Sequence, residues 1–280
     1  MPITIDNNPS NSPLNLSPLQ PMPQFEQQSI SMRLAQNQDE INAAQRLRYK
    51  TFYEEFNIPP PPHVLLEERD YDEYDPYADH LIVFDENISP PNDNIVGTYR
   101  LFRRENMPDN MKFFSETEFD ISNLHQHGGK LLELGRSCTL PAYRNKFVMQ
   151  KLWQGISDYL SKHQIDLMFG VASFHEEKPE NIIEFLSYLH HFHVAPKNLC
   201  VQATENCLEN IPFIPKDSLD SKRVFSNLPA LIKGYLRAGA YIGTGAFLDK
   251  SLGHIDVCII LPTEQVTSRY MKHFEVKVQK

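Results

Sequence analysis

The segment from Leu131 to Arg144 constrains this chain more than any other part of it. Leu131, Leu132 and Leu134 surround one acid, Glu133, in a run that reads as a buried strand. Arg136 follows three residues after the acid, Pro141 ends the strand, and an apolar helix comes next. A carboxylate beside such a strand-to-helix loop can take a proton from an attacking amine. The start of the helix presents N–H groups to an anion or a thioester oxygen. Together these features suit acyl transfer to an amine.

The rest of the chain supplies the sheet that this strand requires. Residues 1–28 are rich in Pro, Asn, Ser and Gln, lack an apolar period and are expected to be a disordered tail. Order begins at the alternating run from Ser29 to Leu34, followed by a helix from Asp39 to about Phe56 that Pro59-Pro60-Pro61-Pro62 stops. An acidic segment, Glu67 to Asp79, leads into a strand at 80–84. The turn Pro90-Pro91-Asn92-Asp93 joins it to a second strand at 95–102, and the pair reads as an antiparallel hairpin with a long loop. After the strand at 131–138 come a helix from about Phe147 to Lys162, a strand at 167–172 and a helix from Pro179 to about Phe192. A strand at 199–204, a helix from about Leu228 to Ala238, a strand at 257–261 and a C-terminal helix complete the order. This pattern predicts a mixed α/β sheet, not a regular alternating parallel fold.

Composition narrows the class. A chain of 280 residues with 41% hydrophobic and 22% charged residues can bury one sizeable core. Its apolar runs are too short to span a bilayer, and its N-terminus does not read as a secretory signal. Four cysteines without CxxC spacing argue against a disulfide framework or a zinc ribbon and fit a reducing compartment, so a cytoplasmic protein is expected. A formal net charge of −9 disfavours nucleic acid as a partner. Two local basic groups could still steer an acidic partner: Arg144, Lys146 and Lys151, and Arg269, Lys272, Lys277 and Lys280.

Five motifs occur in order that resemble one known series. They are Arg48-Tyr49-Lys50-Thr51-Phe52, Asp72-Glu73-Tyr74-Asp75, Gly97-Thr98-Tyr99-Arg100-Leu101, Glu133-Leu134-Gly135-Arg136 and Ile232-Lys233-Gly234-Tyr235-Leu236-Arg237-Ala238-Gly239-Ala240. The first four are similar both to acyl-homoserine-lactone autoinducer synthases and to the ornithine N-acyltransferases of ornithine-lipid synthesis, within the GNAT superfamily. The fifth, with Asp79-His80-Leu81 and the form of Glu133 to Ser137, favours the ornithine family. The resemblance spans about residues 30 to 275. It implies a GNAT-like α/β (α+β) domain over 29–280: a mixed, mostly antiparallel sheet flanked by helices, with a C-terminal extension from about 205. It implies an enzyme that moves a 3-hydroxyacyl group from acyl carrier protein to the α-amine of ornithine. No cofactor is expected beyond the donor's phosphopantetheine thioester. One departure is plain: Arg144-Asn145-Lys146-Phe147-Val148-Met149 lacks the glycines of the usual superfamily phosphate loop, which suits an acyl carrier protein better than coenzyme A.

The expected roles follow from residue chemistry. Glu133 is the candidate base, because burial raises a carboxyl pKa; a salt bridge with Arg100 or Arg136 is the competing account. By the resemblance, Asp70, Asp72 and Asp75 either bind the ammonium groups of ornithine or organise Arg48 and Arg100. Arg100 lies inside an apolar strand and needs a carboxylate partner: Asp75, Glu133 or the substrate's own. Arg136 is a further substrate-binding candidate, and Arg144 with Lys146 is expected to meet the donor. Backbone N–H groups from Ser137 to Leu140 are the natural supply for a thioester oxyanion. Cys138 reads as a small buried residue, and His190, His191 and His193 close a helix where the dipole favours them, so no metal is expected. The amphipathic run Leu228 to Ala240 could touch a membrane surface or pack on the core. Two other readings stay open: an acyltransferase for a different amine, homoserine-lactone formation included, and a non-catalytic binder of acyl carrier protein.

Overall fold

The structure, a computed structural model, describes residues 29–89, 94–204, 207–208 and 211–266. The tail 1–28, the turn Pro90-Pro91-Asn92-Asp93, the basic group Arg269, Lys272, Lys277 and Lys280, and whatever of the expected C-terminal helix follows Val266 lie outside the described residues.

The alternating apolar runs become strands β1 (Ile30–Leu34), β2 (Asp79–Asp85), β3 (Ile95–Arg103), β5 (Leu131–Thr139), β6 (Leu167–Phe174) and β10 (His254–Pro262). With the short β8 (Tyr241–Ile242) they form one sheet in the order β1-β2-β3-β5-β6-β10-β8, and β9 (Phe247–Asp249) pairs with β10. A separate short pair joins β4 (Phe119–Asp120) to β7 (Gln202–Ala203). All pairings are antiparallel except β5 with β6. Strands β8, β9 and β10, all beyond residue 205, therefore belong to the central sheet, with β10 lying between β6 and β8.

Period-2 alternation divides the strand residues between two faces. Leu81, Val83, Tyr99, Leu101, Leu132 and Leu134 face the main core, under α4 (Lys146–His163), α5 (Ile183–His193) and α7 (Ala230–Ala238). Gly155 of α4 makes that packing close, since a Cβ there would lie 2.4 Å from the Met32 sulfur. On the opposite face α1 (Gln38–Tyr49) covers Ile82, Ile95 and Cys138, and an aromatic cluster of Phe102, Phe113, Phe119 and Phe169 packs beside it. Arg100, Glu133 and Asp256 alternate onto this second face.

Some expectations change. The first helix does not run unbroken to Phe56: it passes into a wider π-helical turn over Lys50–Glu54 and ends near Asn57, which has φ 53°. Pro62 then starts a short helix, α2 (Pro62–Glu67), because proline is tolerated in the first turn of a helix. The expected strand at 199–204 shrinks to Gln202–Ala203, since the Asn123 side chain takes the Cys200 carbonyl at 2.7 Å and 196–199 closes a turn. Helices α3 (Ser122–Gln126) and α6 (Ser221–Asn227) were not anticipated; Asp220 caps the latter through Arg223 N–H. The apolar face of α7 is not open to a membrane: Ile232, Tyr235 and Leu236 are buried in the main core. Among the described residues, no helix is long and apolar enough to cross a membrane.

Candidate active site

Strands β5 and β6 pair only from Leu131–Leu167 to Glu133–Phe169 and then part. Gly170 stands where they separate, and a Cβ there would lie 2.1 Å from the Leu134 carbonyl oxygen. A cavity of about 170 Å³ opens at this fork, lined by Glu133 to Ser137 on one side and Val171 to Ser173 on the other. Parted parallel strands leave backbone groups without a ladder partner, which is where a thioester can be received. The expected N–H supply is shortened at one end, because Leu140 N–H donates to the Val96 carbonyl. Thr139 turns the other way, with its carbonyl accepting from Arg144 Nε at 3.2 Å.

Arg136 owes its place to an irregularity in β5. Between Thr98–Cys138 and Arg100–Gly135 the strand carries one extra residue, and Arg136 adopts φ 51° there. Such a bulge re-aims a side chain, and the left-handed region is costly for arginine. The guanidinium is held between the Phe52 and Phe114 rings, 5.7 and 5.8 Å from their centroids, and lines the cavity. Its nearest carboxylate oxygens, on Asp70 and Asp72, lie at 3.6 and 3.7 Å, beyond hydrogen-bonding distance.

At this wall and just behind it three arginines, Arg48, Arg100 and Arg136, meet three aspartates, with Arg100 and Arg136 lining the cavity. Arg48 is 1% exposed and bidentate to Asp75 at 2.8 and 2.9 Å, with Asp70 at 2.8 Å from Nε. Burial alone would lower its pKa, but the charges of Asp70 and Asp75 outweigh that and raise it. Asp75 in turn is driven well below the usual carboxylate range: burial opposes ionisation, and Arg48 and Arg100 overcome it. Arg100 holds Asp72 at 2.6 and 2.7 Å and reaches Asp75 at 3.5 Å. Its carboxylate partner is thus chiefly Asp72, one of the three acids expected to organise it, with Asp75 farther away and Glu133 not among its salt bridges. Asp70, Asp72 and Asp75 organise arginines, and none of the three lines the cavity.

Glu133 stands apart from that network. It is 4% exposed, forms no salt bridge with Arg100 or Arg136, and is held by the short helical turn Phe114–Thr117. Phe114 N–H donates to Oε2 at 2.9 Å, while Ser115 donates to Oε1 from its N–H at 2.6 Å and its hydroxyl at 2.5 Å. Burial raises its pKa and the Ser115 bonds oppose the rise, leaving it above the ordinary value. The carboxyl lines the cavity within the electrostatic reach of Arg100.

The donor-side candidates are less open than expected. Arg144 is bidentate to Glu55 at 2.6 and 2.5 Å. Asn145 caps α4 by accepting from Phe147 N–H and Val148 N–H, both at 3.0 Å, so the helix start is already occupied. Lys146 is exposed at the first turn. Burial pushes the Cys138 thiol up to about 12, which leaves it protonated and inert at neutral pH. The three histidines of α5 go separate ways: His190 stacks on Phe213, His191 meets the Ile214 carbonyl and His193 meets the Tyr188 hydroxyl.

Sequence reasoning missed the far end of the cavity. His175 Nδ1 and His254 Nε2 share a hydrogen bond of 2.8 Å, and burial holds His254 down to about 4. Glu118, Asp249 and Asp256 bring carboxylate oxygens within 4.8 Å of one another. Asp256 carried a usable signal, an acid inside the apolar run His254–Pro262, which is the reasoning applied to Arg100.

The sheet is mostly antiparallel and forks at one parallel pair, and residues 47–154 match the acetyltransferase (GNAT) domain family, which makes this a GNAT-type acyltransferase fold. The chain is 41% identical over 249 residues to the L-ornithine N(alpha)-acyltransferase of Brucella abortus (strain 2308), covering 88% of this chain and 89% of that one. It is 40% identical to the L-ornithine N(alpha)-acyltransferase of Agrobacterium fabrum (strain C58), covering 88% and 85%. The structure of FeeM, an N-acyl amino acid synthase from uncultured soil microbes, is similar with a TM-score of 0.47 at 13% identity, covering 86% of this chain and 94% of that one. The chain belongs to the L-ornithine N(alpha)-acyltransferase family, as the five motifs implied.

Proposed function

We propose that the protein transfers a 3-hydroxyacyl group from acyl carrier protein to the α-amine of ornithine, giving lyso-ornithine lipid. The observation that carries this reading is the pairing, at one forked cavity, of a buried acid outside any salt bridge with an arginine beyond hydrogen-bonding distance of its carboxylate neighbours. In this reading the α-carboxylate of ornithine takes the guanidinium of Arg136. Glu133 accepts a proton from the α-ammonium, directly or through one water. The freed amine nitrogen attacks the thioester carbonyl carbon, and backbone N–H groups on the parted strands receive the oxyanion. Collapse breaks the C–S bond, the proton still surplus on the attacking nitrogen passes to the phosphopantetheine thiolate, and a neutral amide and a thiol remain. Arg48, Asp70, Asp72 and Asp75 act from behind, fixing the wall on which Arg100 and Arg136 stand.

The reaction needs no cofactor beyond the donor's own thioester. Arg144 and Lys146 meet the phosphopantetheine phosphate or the acidic carrier protein, with Glu55 releasing Arg144 as the donor docks. We place the reaction in the cytoplasm, with the product delivered at the inner face of the membrane by a peripheral contact that α7 does not supply.

Purified protein incubated with ornithine and 3-hydroxyacyl-loaded carrier protein, or with the matching acyl-CoA, tests the reading by product mass. N-acyl-ornithine formed from the carrier protein is expected; its absence with folded protein, or a different acylated amine, refutes it. Glu133→Gln should lower kcat by about 10²–10⁴-fold while the protein stays folded. Full activity in that variant removes the base role.

A further inference from the structure

The acids at the far end of the cavity have no part in the chemistry above. Glu118 follows the short turn that holds Glu133, Asp249 ends β9, and Asp256 lies on β10 opposite Ser173. Each is in the cavity wall. Asp249 uses Oδ1 to cap a turn, accepting from Ser251 N–H at 2.7 Å and the Ser251 hydroxyl at 2.6 Å. Glu118 Oε2 and Asp256 Oδ1 have no hydrogen-bond partner among the described residues, although the two residues are only 4% and 3% exposed. No described Arg or Lys forms a salt bridge with any of the three acids. Buried acceptors without partners are rare and costly, and three converging carboxylates call for a cation with several donors. An alkylammonium group brings three N–H donors on one charge.

We propose that Glu118, Asp249 and Asp256 bind the side-chain ammonium of the amino-acid acceptor and so select a diamino acid over neutral amino acids. The inference rests on ornithine being the acceptor, and it divides the substrate's three charged groups among three fixtures. Glu133 takes the α-amine, Arg136 takes the carboxylate, and the acidic end takes the distal ammonium. Asp256 and Glu133 stand on strands either side of β6, so the two amines are held at separate ends of one cavity. Burial raises the pKa of Glu118 to about 9 and that of Asp256 to about 6, the behaviour of acids awaiting a counter-charge.

Norvaline, which is ornithine without the side-chain amine, is the discriminating probe. With the donor saturating, kcat/KM for ornithine should exceed that for norvaline by at least about a hundredfold, because norvaline leaves the acids unpaired. Glu118→Gln and, separately, Asp256→Asn should each shrink the ornithine-to-norvaline ratio at least about tenfold. A wild-type ratio near one overturns the proposal without recourse to any variant. So does a ratio that survives in both folded variants. Carboxylates also accept a divalent cation, so transfer abolished by EDTA and restored by Mg²⁺ or Ca²⁺ overturns it as well. If wild type acylates neither ornithine nor norvaline, the acceptor reading fails and takes this one with it. If wild type acylates ornithine without discriminating, only this inference fails.

Discussion

Neutralising Glu118 should stabilise the ligand-free protein, by an amount and with a pH dependence that follow from its surroundings. The side chain is 4% exposed with Oε2 unpartnered. Burial first, then the negative charges of Asp256, Asp249 and Glu133, push its pKa from 4.5 to about 9, against the pull of Arg136. The folded value lies above the unfolded one, so folding takes up a proton at any pH between them. The carboxyl therefore costs nothing below about pH 4.5, and its cost grows until about pH 9. At pH 7 the interval above 4.5 is about 2.5 units at about 1.36 kcal/mol each, or about 3 kcal/mol for any folded pKa above 7. Glu118→Gln removes that cost and leaves an amide that Asp249 or Asp256 can accept from. Without ornithine, Tm at pH 7 should rise by about 5–10 °C. The gain should fall below about 1 kcal/mol at pH 5, only about half a unit above the unfolded pKa. Urea unfolding at pH 5, 6, 7 and 8 measures the slope directly. A gain that is the same at pH 5 and pH 8, or a variant less stable than wild type at pH 7, refutes the reasoning.

Two further substitutions probe the fork. Arg136→Gly and Arg136→Ala both remove the guanidinium, and each should raise KM for ornithine about 10–100-fold. At φ 51° only glycine is unstrained, so the alanine variant should be about 1 kcal/mol less stable than the glycine variant in urea, and equal stability would mean the bulge relaxes. Gly170→Ala places a Cβ 2.1 Å from the Leu134 carbonyl oxygen, so β5 and β6 must move apart. That should cost about 2–3 kcal/mol and lower kcat, since Glu133 pairs with Phe169 one residue away; a variant as stable and active as the parent would show that the close approach is dispensable.

Wherever one face of a long strand or helix is apolar, the sequence was sufficient. The runs that became β2, β3, β5, β6 and β10 announced themselves by alternation, and α1 and α4 by their apolar faces. The convergence of Arg48 and Arg100 with the acidic segment followed from the resemblance, but the pairing itself, and the place of Arg136 beside Asp70 and Asp72, did not. Asp70, Asp72 and Asp75 lie within five residues of one another, so spacing alone could not decide which acid reaches Arg100. Short elements were also hidden. Helix α2 starts inside a tetraproline that reads as a breaker, and β8 and β9 are two and three residues long. The acidic end was hidden for a different reason. Glu118 comes from a turn 131 residues before Asp249, and only the fold brings it beside Asp249 and Asp256 on the paired strands β9 and β10.

The two groups of charge behind and within the cavity answer different needs. Three aspartates neutralise three arginines at and behind the wall, so that cluster is complete when the chain folds and can hold Arg136 in a strained bulge without any ligand. Burial of those ions is tolerable only because each finds an opposite charge within the same protein. Glu118 and Asp256 at the far end have no opposite charge to pair with among the described residues, and burial keeps Glu118 neutral at pH 7 instead. A cation completing them would restore the balance that the arginine cluster already has. The fold therefore keeps the reacting end rigid and leaves the acceptor-reading end incomplete, so stability gained by removing Glu118 is lost again as discrimination between acceptors.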